Sequence, residues 1–204
     1  MKIFTCYKQK IHISTALILF FASMGCTVKY TYLKPNYNKV ERQSLKRIAL
    51  VIEPYKALPE NINNLLFTIE KEYLSIKTNY IIKNQIIVLE NQNAQNVCRS
   101  KFKLNGYLIT RLEELKIRKN NVDIALRLIL YDCSHNKIWE SYGKNSYRSN
   151  DSSLRATIDS LTNRTGENVR LFVAPIYRLT NLLLKSLPQP NLTDEEEIEK
   201  IESM

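Results

Sequence analysis

An α/β fold with two layers, a mixed sheet carrying helices, is predicted by three patterns in the chain. Val122, Ile124, Leu126, Leu128 and Leu130 alternate with Asp123, Ala125 and Arg127, the period of a half-buried strand. Ile62, Leu65, Leu66, Ile69, Tyr73 and Ile76 recur at three- and four-residue steps, one face of a helix, and Val169, Phe172, Val173, Ile176, Leu179 and Leu183 do the same. Between them lie short Ile- and Val-rich runs bounded by Pro and Asn, as buried strands are. The 204 residues suit one domain with appended segments, and 44% hydrophobic with 25% charged residues excludes a disordered or fibrous chain.

In order, Arg47 to Pro54 reads as a buried strand that the proline ends. Pro59 and Glu60 suit the first turn of the helix that carries the first stripe. Asn79 to Leu89 is the second strand, and Asn91 to Lys103 a shorter, weaker helix. Tyr107 to Ile117, the alternating strand after Asn120-Asn121, and Lys137 to Lys144 make a three-strand meander. Its turns are short, so its strands are antiparallel. A possible short helix at 151–162 follows. Thr165 then looks like the N-cap of a last helix, over about 166–186, with a kink expected at Pro175. The predicted order is strand, helix, strand, helix, three-strand antiparallel meander, helix.

The flanks differ from this body. Residues 27–46 are polar around Pro35 and read as a tether. From Asn191, six acids stand against Lys200 alone, while residues 1–25 hold three lysines and no acid. Of the formal +10, the body between therefore carries +12, spread singly. Nucleic-acid binders concentrate their charge, so a solvated surface or an anionic membrane is expected and nucleic acid is not.

The chemistry is sparse. Four glycines leave little for a phosphate-cradling loop, and of two histidines only His135 lies beyond the N-terminal segment, in a turn. No zinc ligand set, GxSxG or HExxH occurs. The SxxK spacings Ser100/Lys103, Ser134/Lys137 and Ser141/Lys144 lack the motifs that accompany them in acyl-serine enzymes. Alternation sends Glu113 and Glu114 to opposite faces of their strand, and Asp132 with Asn136 reads as turn chemistry. No catalytic residue, metal, cofactor or small-molecule substrate is expected. The expected role is non-catalytic binding or scaffolding with an envelope protein partner. Its candidate surfaces are the last helix, the acidic tail and the exposed side of the meander. The rivals are an accessory subunit of a secretion, transport or cell-wall assembly, and an envelope enzyme.

The N-terminus reads as an address. A basic start, an apolar run at 11–21 and Ala22-Ser23-Met24-Gly25 before Cys26 have the layout of a secretory signal. Eleven apolar-rich residues fall short of the ~20 that span a bilayer. Gly25-Cys26 resembles the lipobox of bacterial lipoproteins, although Ser23 stands where Leu is usual. The resemblance implies cleavage before Cys26, acylation of Cys26, and membrane attachment through that lipid. Thr27, rather than Asp, after Cys26 implies the outer membrane, facing the periplasm or the cell surface. The division is then 1–25 signal peptide, 26–46 lipidated Cys26 and tether, 47–187 α/β domain, and 188–204 acidic Pro-led tail.

The strand at 47–54 and the meander from Gly106 to Lys144 resemble the domain of curli-secretion and penicillin-binding-protein-activator lipoproteins, related to the N-terminal domain of the Tol-system translocation protein. Leu187-Pro188-Gln189-Pro190-Asn191-Leu192, then Glu199-Lys200-Ile201-Glu202, with Gly166-Glu167 and Ala174-Pro175, is similar to a family of uncharacterised bacterial lipoproteins. Both resemblances imply location and fold, not chemistry.

With Cys6 in the signal and Cys26 acylated, Cys98 and Cys133 remain, in an oxidising compartment. Cys98 precedes the first meander strand and Cys133 ends the second, so antiparallel pairing brings both to one sheet edge. A bridge is predicted there; two free thiols are the alternative.

Overall fold

The computed structural model describes residues 28–53, 60–87, 94–99 and 103–203; the expected signal and the expected lipidation site Cys26 lie outside them. Its elements are β1 (Val28–Leu33), α1 (Glu41–Ser44), β2 (Arg47–Glu53), α2 (Glu60–Lys77), β3 (Ile81–Ile87), a 3-10 segment (Ala94–Arg99), β4 (Gly106–Arg118), β5 (Asn121–Asp132), β6 (Lys137–Arg148), α3 (Arg155–Thr165), α4 (Arg170–Leu184) and α5 (Asp194–Glu202). They build one six-stranded mixed sheet in the order β1-β6-β5-β4-β2-β3. β2 runs parallel to both neighbours, and β4, β5, β6 and β1 are successively antiparallel.

Burial explains the patterns. β2 lies between two parallel partners and is covered on both faces, which is why its sequence is continuously apolar. β4 and β5 put Leu108, Leu112, Leu126, Leu128 and Leu130 under the helices. Against them pack Leu65, Leu66 and Ile69 of α2, Ile158 and Leu161 of α3, and Val173, Ile176, Leu179 and Leu183 of α4. Each such side chain, fully buried, contributes about 1.5–3 kcal/mol. Of the first stripe, Ile76 faces solvent and Leu74 takes the core place. The last helix begins with a 3-10 turn (Glu167–Val169), because Thr165 closes α3 and Gly166 takes a positive φ of 107°. α4 continues through Pro175, whose missing N–H falls in the second helical turn.

The second sheet face has its own smaller core. Ala49, Val51, Tyr107 and Ile109 pack with Val97 and Leu104 from the connection before β4. Cys98 and Cys133 are joined there by a disulfide, Cα atoms 5.6 Å apart. Gly106 opens β4 where a Cβ would meet the Tyr131 carbonyl oxygen at 2.3 Å and Leu45 Cδ1 at 2.5 Å. Only glycine allows that approach.

Both flanks depart from expectation. The tether reading of 27–46 is corrected from Val28 onward, since Val28–Leu33 is the edge strand β1, paired to β6. An edge strand over a solvated face needs no apolar run, and Tyr30, Thr31 and Tyr32 are good strand formers. The tail is likewise part of the body. Tyr80 donates its hydroxyl to the Pro188 carbonyl (2.9 Å), Asn79 N–H donates to Gln189 Oε1 (2.9 Å), and Asn191 N–H donates to the Arg42 carbonyl (2.8 Å). Thr193 and Glu196 form a capping box that starts α5.

Candidate interaction surface

Of the surfaces the sequence proposes, the structure covers one in part, engages the second and leaves the third open. The last helix buries one face through Val173 to Ile176, Leu179, Thr180, Leu183 and Leu184 and leaves Leu171 exposed on the other. The tail is engaged. Glu196 meets Lys46 at 2.5 Å, and Glu199 meets Arg47 at 2.6 Å and Lys83 at 2.5 Å. Lys200 donates to the Thr78 carbonyl. The Arg47 hydrogen bond, aided by Lys83 against the opposing effect of burial, lowers the Glu199 carboxyl to a pKa of about 2. Glu199 and Lys200 of the tail signature are thus fixed by contacts with their own domain, while Ile198 and Ile201 point to solvent.

The exposed side of the meander remains. On this face β1 places Tyr30 and Tyr32, β6 places Glu140 and Tyr142, β5 places Arg127, and β4 places Arg111 beside Glu53 of β2. A charge ladder crosses the strands. Arg111 holds Glu53 (2.5 Å); Arg127 holds Glu113 and Glu140 (2.5 Å each); Lys137 holds Glu140 from the other side (2.6 Å). Burial pushes the Glu140 carboxyl up, but the hydrogen bonds from Lys137 and Arg127 outweigh it and hold it below its usual range. Aromatic rings support the cations. Arg127 lies 4.8 Å from the Tyr142 ring centre, and Lys137 lies 5.0 Å from that of Tyr32. The result is a pre-organised surface of tyrosines and paired charges.

A bulge corrects the reading of Glu113 and Glu114. The β4–β5 register shifts between Leu112 and Glu114, so Glu114 pairs with Ala125, on the side of Arg127. The extra residue puts both carboxylates on the open face. They are held apart by different cations, Glu113 by Arg127 and Glu114 by Lys116 and Lys144.

The other sequence candidates are placed as follows. Asp132 accepts from the backbone N–H of Ser134 (2.9 Å) and of Asn136 (2.8 Å), building the turn before β6. His135 sits in that turn at φ 63°, its Nδ1 2.8 Å from the Tyr107 hydroxyl. Ser141 lies under the helices, buried beside Thr31, and Lys144 is exposed, so that SxxK pair shares no site. Ser100 lies outside the described residues. Among the described residues, no group of three or more His, Cys, Asp or Glu could hold a metal ion. No described helix is long and apolar enough to cross a membrane.

Sequence reasoning missed Glu70. It sits fully buried on α2, with Thr110 Oγ1 donating to its Oε1 at 2.6 Å and no partner at Oε2 among the described residues. Burial raises its carboxyl to a pKa of about 8, against the opposing Thr110 bond, so it is largely protonated at neutral pH. The one signal for it was an acid set within the apolar stripe, next to Ile69.

No protein-family model matches the chain, and no curated protein is similar to it in sequence. Solved structures similar to it include a PelC dodecamer from Paraburkholderia phytofirmans (14% identity, TM-score 0.43, over 69% of this chain and 89% of that one). A hypothetical protein, CT253, from Chlamydia trachomatis is similar at 9% identity and TM-score 0.41, over 76% and 95% of the two chains. Lipoprotein GNA1162 from Neisseria meningitidis is similar at 11% identity and TM-score 0.39, over 58% and 96%. These are likenesses of chain path.

Proposed function

We propose that this chain is a bacterial envelope lipoprotein with a non-catalytic binding or scaffolding role, attached to the outer membrane by acyl chains on Cys26. The observation that carries the reading is the N-terminal layout: a basic start, a short apolar run, then Gly25-Cys26 just before the folded body opens at Val28. The Cys98–Cys133 bridge supports it, since such bridges persist in oxidising compartments outside the cytoplasm. The open sheet face supports the binding role. Tyrosine and arginine are enriched at protein contacts, and here the ladder already fixes their side chains. A protein partner on this face would make the chain an accessory subunit of an envelope assembly.

The test is fatty-acid labelling and membrane fractionation of the Cys26→Ala variant. Labelling should vanish and the protein should leave the membrane fraction at high salt. Retention of the unlabelled variant on membranes in high salt would sink the anchor. Cross-linking in intact cells through Tyr32 and Tyr142 then tests the face; a partner captured there that is lost in Arg127→Ala supports the binding role.

A further inference from the structure

We infer that the far end of the β4–β5 hairpin, together with the end of β6, is a second membrane contact that takes the headgroups of anionic phospholipids. The inference rests on the reading of Cys26 as the acylated residue. Val28 of β1 pairs with Gly143 of β6, which pairs with Leu126 of β5. Past that level β5 and β6 run on to Asn121 and Arg148. Five strand residues extend about 17 Å. Cys26 stands two residues before Val28, a reach of at most ~7 Å. An anchor there falls short of the hairpin tip by roughly 10 Å along the strands. A body standing on its acyl chains meets the bilayer tip first.

The tip has the chemistry for that encounter. Lys116, Ile117, Arg118 and Lys119 are exposed on the hairpin, as are Lys144 and Arg148 on β6. The acids among them are Glu114, shared by Lys116 and Lys144, and Asp123, held by Arg118. Lys119 and Arg148, with Lys29 of β1, have no ion pair among the described residues. Arginine and lysine suit phosphate oxygens, arginine with two parallel hydrogen bonds. Ile117, 55% exposed, supplies an apolar side chain for the boundary beneath the headgroups. Beside the tip, where Ser149 N–H donates to the Asn120 carbonyl, opens a groove of about 440 Å³ lined by Arg155, Asp159, Arg170 and Leu171 among others. The acidic α5 lies at the opposite end of the sheet, against the start of β2, so its carboxylates do not offset the basic tip.

The test uses the acylated mature protein, from Cys26 onward, in vesicles of phosphatidylcholine alone and in vesicles with phosphatidylglycerol mixed in. Amide hydrogen exchange is read over residues 116–121 and 144–148. Exchange should slow in the mixed vesicles and recover at high salt. Each of Lys119→Gln and Arg148→Gln should reduce the protected population about fivefold, the worth of one basic residue at an anionic surface. Lys39→Gln, an exposed lysine past the other end of β1, should change nothing. Equal exchange in both vesicle types overturns the hairpin contact and leaves the anchor standing. Failure to attach to phosphatidylcholine vesicles overturns the anchor instead. The hairpin then stands if the protein binds the mixed vesicles in a salt-dependent way, and falls if it does not.

Discussion

At the end of the sheet where β2 begins, Lys46, Arg47 and Lys83 each meet a carboxylate of α5. At the opposite end, Lys119 and Arg148 meet none among the described residues. The residue types are the same and their roles are opposed. The first end is closed by its own chain: the Cys98–Cys133 bridge, the glycine contact of Gly106 with Tyr131, and the Pro188–Asn191 segment hydrogen-bonded to Asn79, Tyr80 and Arg42 all lie there. The second end carries cations that no carboxylate meets among the described residues. Cations neutralised inside the fold stabilise it, and cations left free stabilise little but remain available for binding.

The largest expected effect belongs to the closed end. Cys133→Ser opens a 35-residue separation and frees the segment that covers Ala49 and Val51. The loss should be about 3–4 kcal/mol in the chain-entropy account. That lowers the melting temperature by roughly 10 °C for a domain of this size. A calorimetric scan of the variant beside the native protein checks it, and coincident melts would remove the bridge from the comparison.

A smaller effect is expected for Glu199→Gln. Its folded pKa, about 2, lies below the ordinary carboxylate value of 4.5, so the stabilisation is fully present above about pH 4.5. It is lost as pH falls through about 2. Glu199 is 27% exposed, so solvent screening reduces the contribution to about 1 kcal/mol at neutral pH. Urea unfolding at pH 7 and at pH 3 measures this. The gap between native and variant should narrow at the lower pH; a constant gap would mean that the carboxylate charge is not what holds α5.

The smallest effect lies at the open end, where Lys119→Ala should change stability by less than about 0.5 kcal/mol. A loss of 1 kcal/mol or more in the same unfolding assay would show that the tip is tied into the fold and would erase the contrast between the two ends.

Much of the architecture was legible in the residues. The alternation at 122–130 marks β5 because successive strand side chains face opposite sides, and one side is under the helices. The stripe at 173–183 marks α4 because 3.6 residues per turn align it over the sheet. The open face was legible only as the solvated side of the meander. Its ladder was not, because Arg127 to Glu140 and Arg111 to Glu53 are cross-strand contacts whose register no local pattern states.

What the sequence by itself determined, then, is what backbone periodicity dictates locally: which segments are strands, which are helices, and which side of each is apolar. The expectation of a signal before Cys26 rests likewise on composition rather than on folding. Tertiary structure alone decided that residues 28–33 are an edge strand, that Glu113 and Glu114 share a face, and that Glu196 and Glu199 turn inward to Lys46, Arg47 and Lys83. The reason is physical. An edge strand is half solvated and needs no apolar signature, and an ion pair between residues about 150 positions apart leaves no local period in the chain.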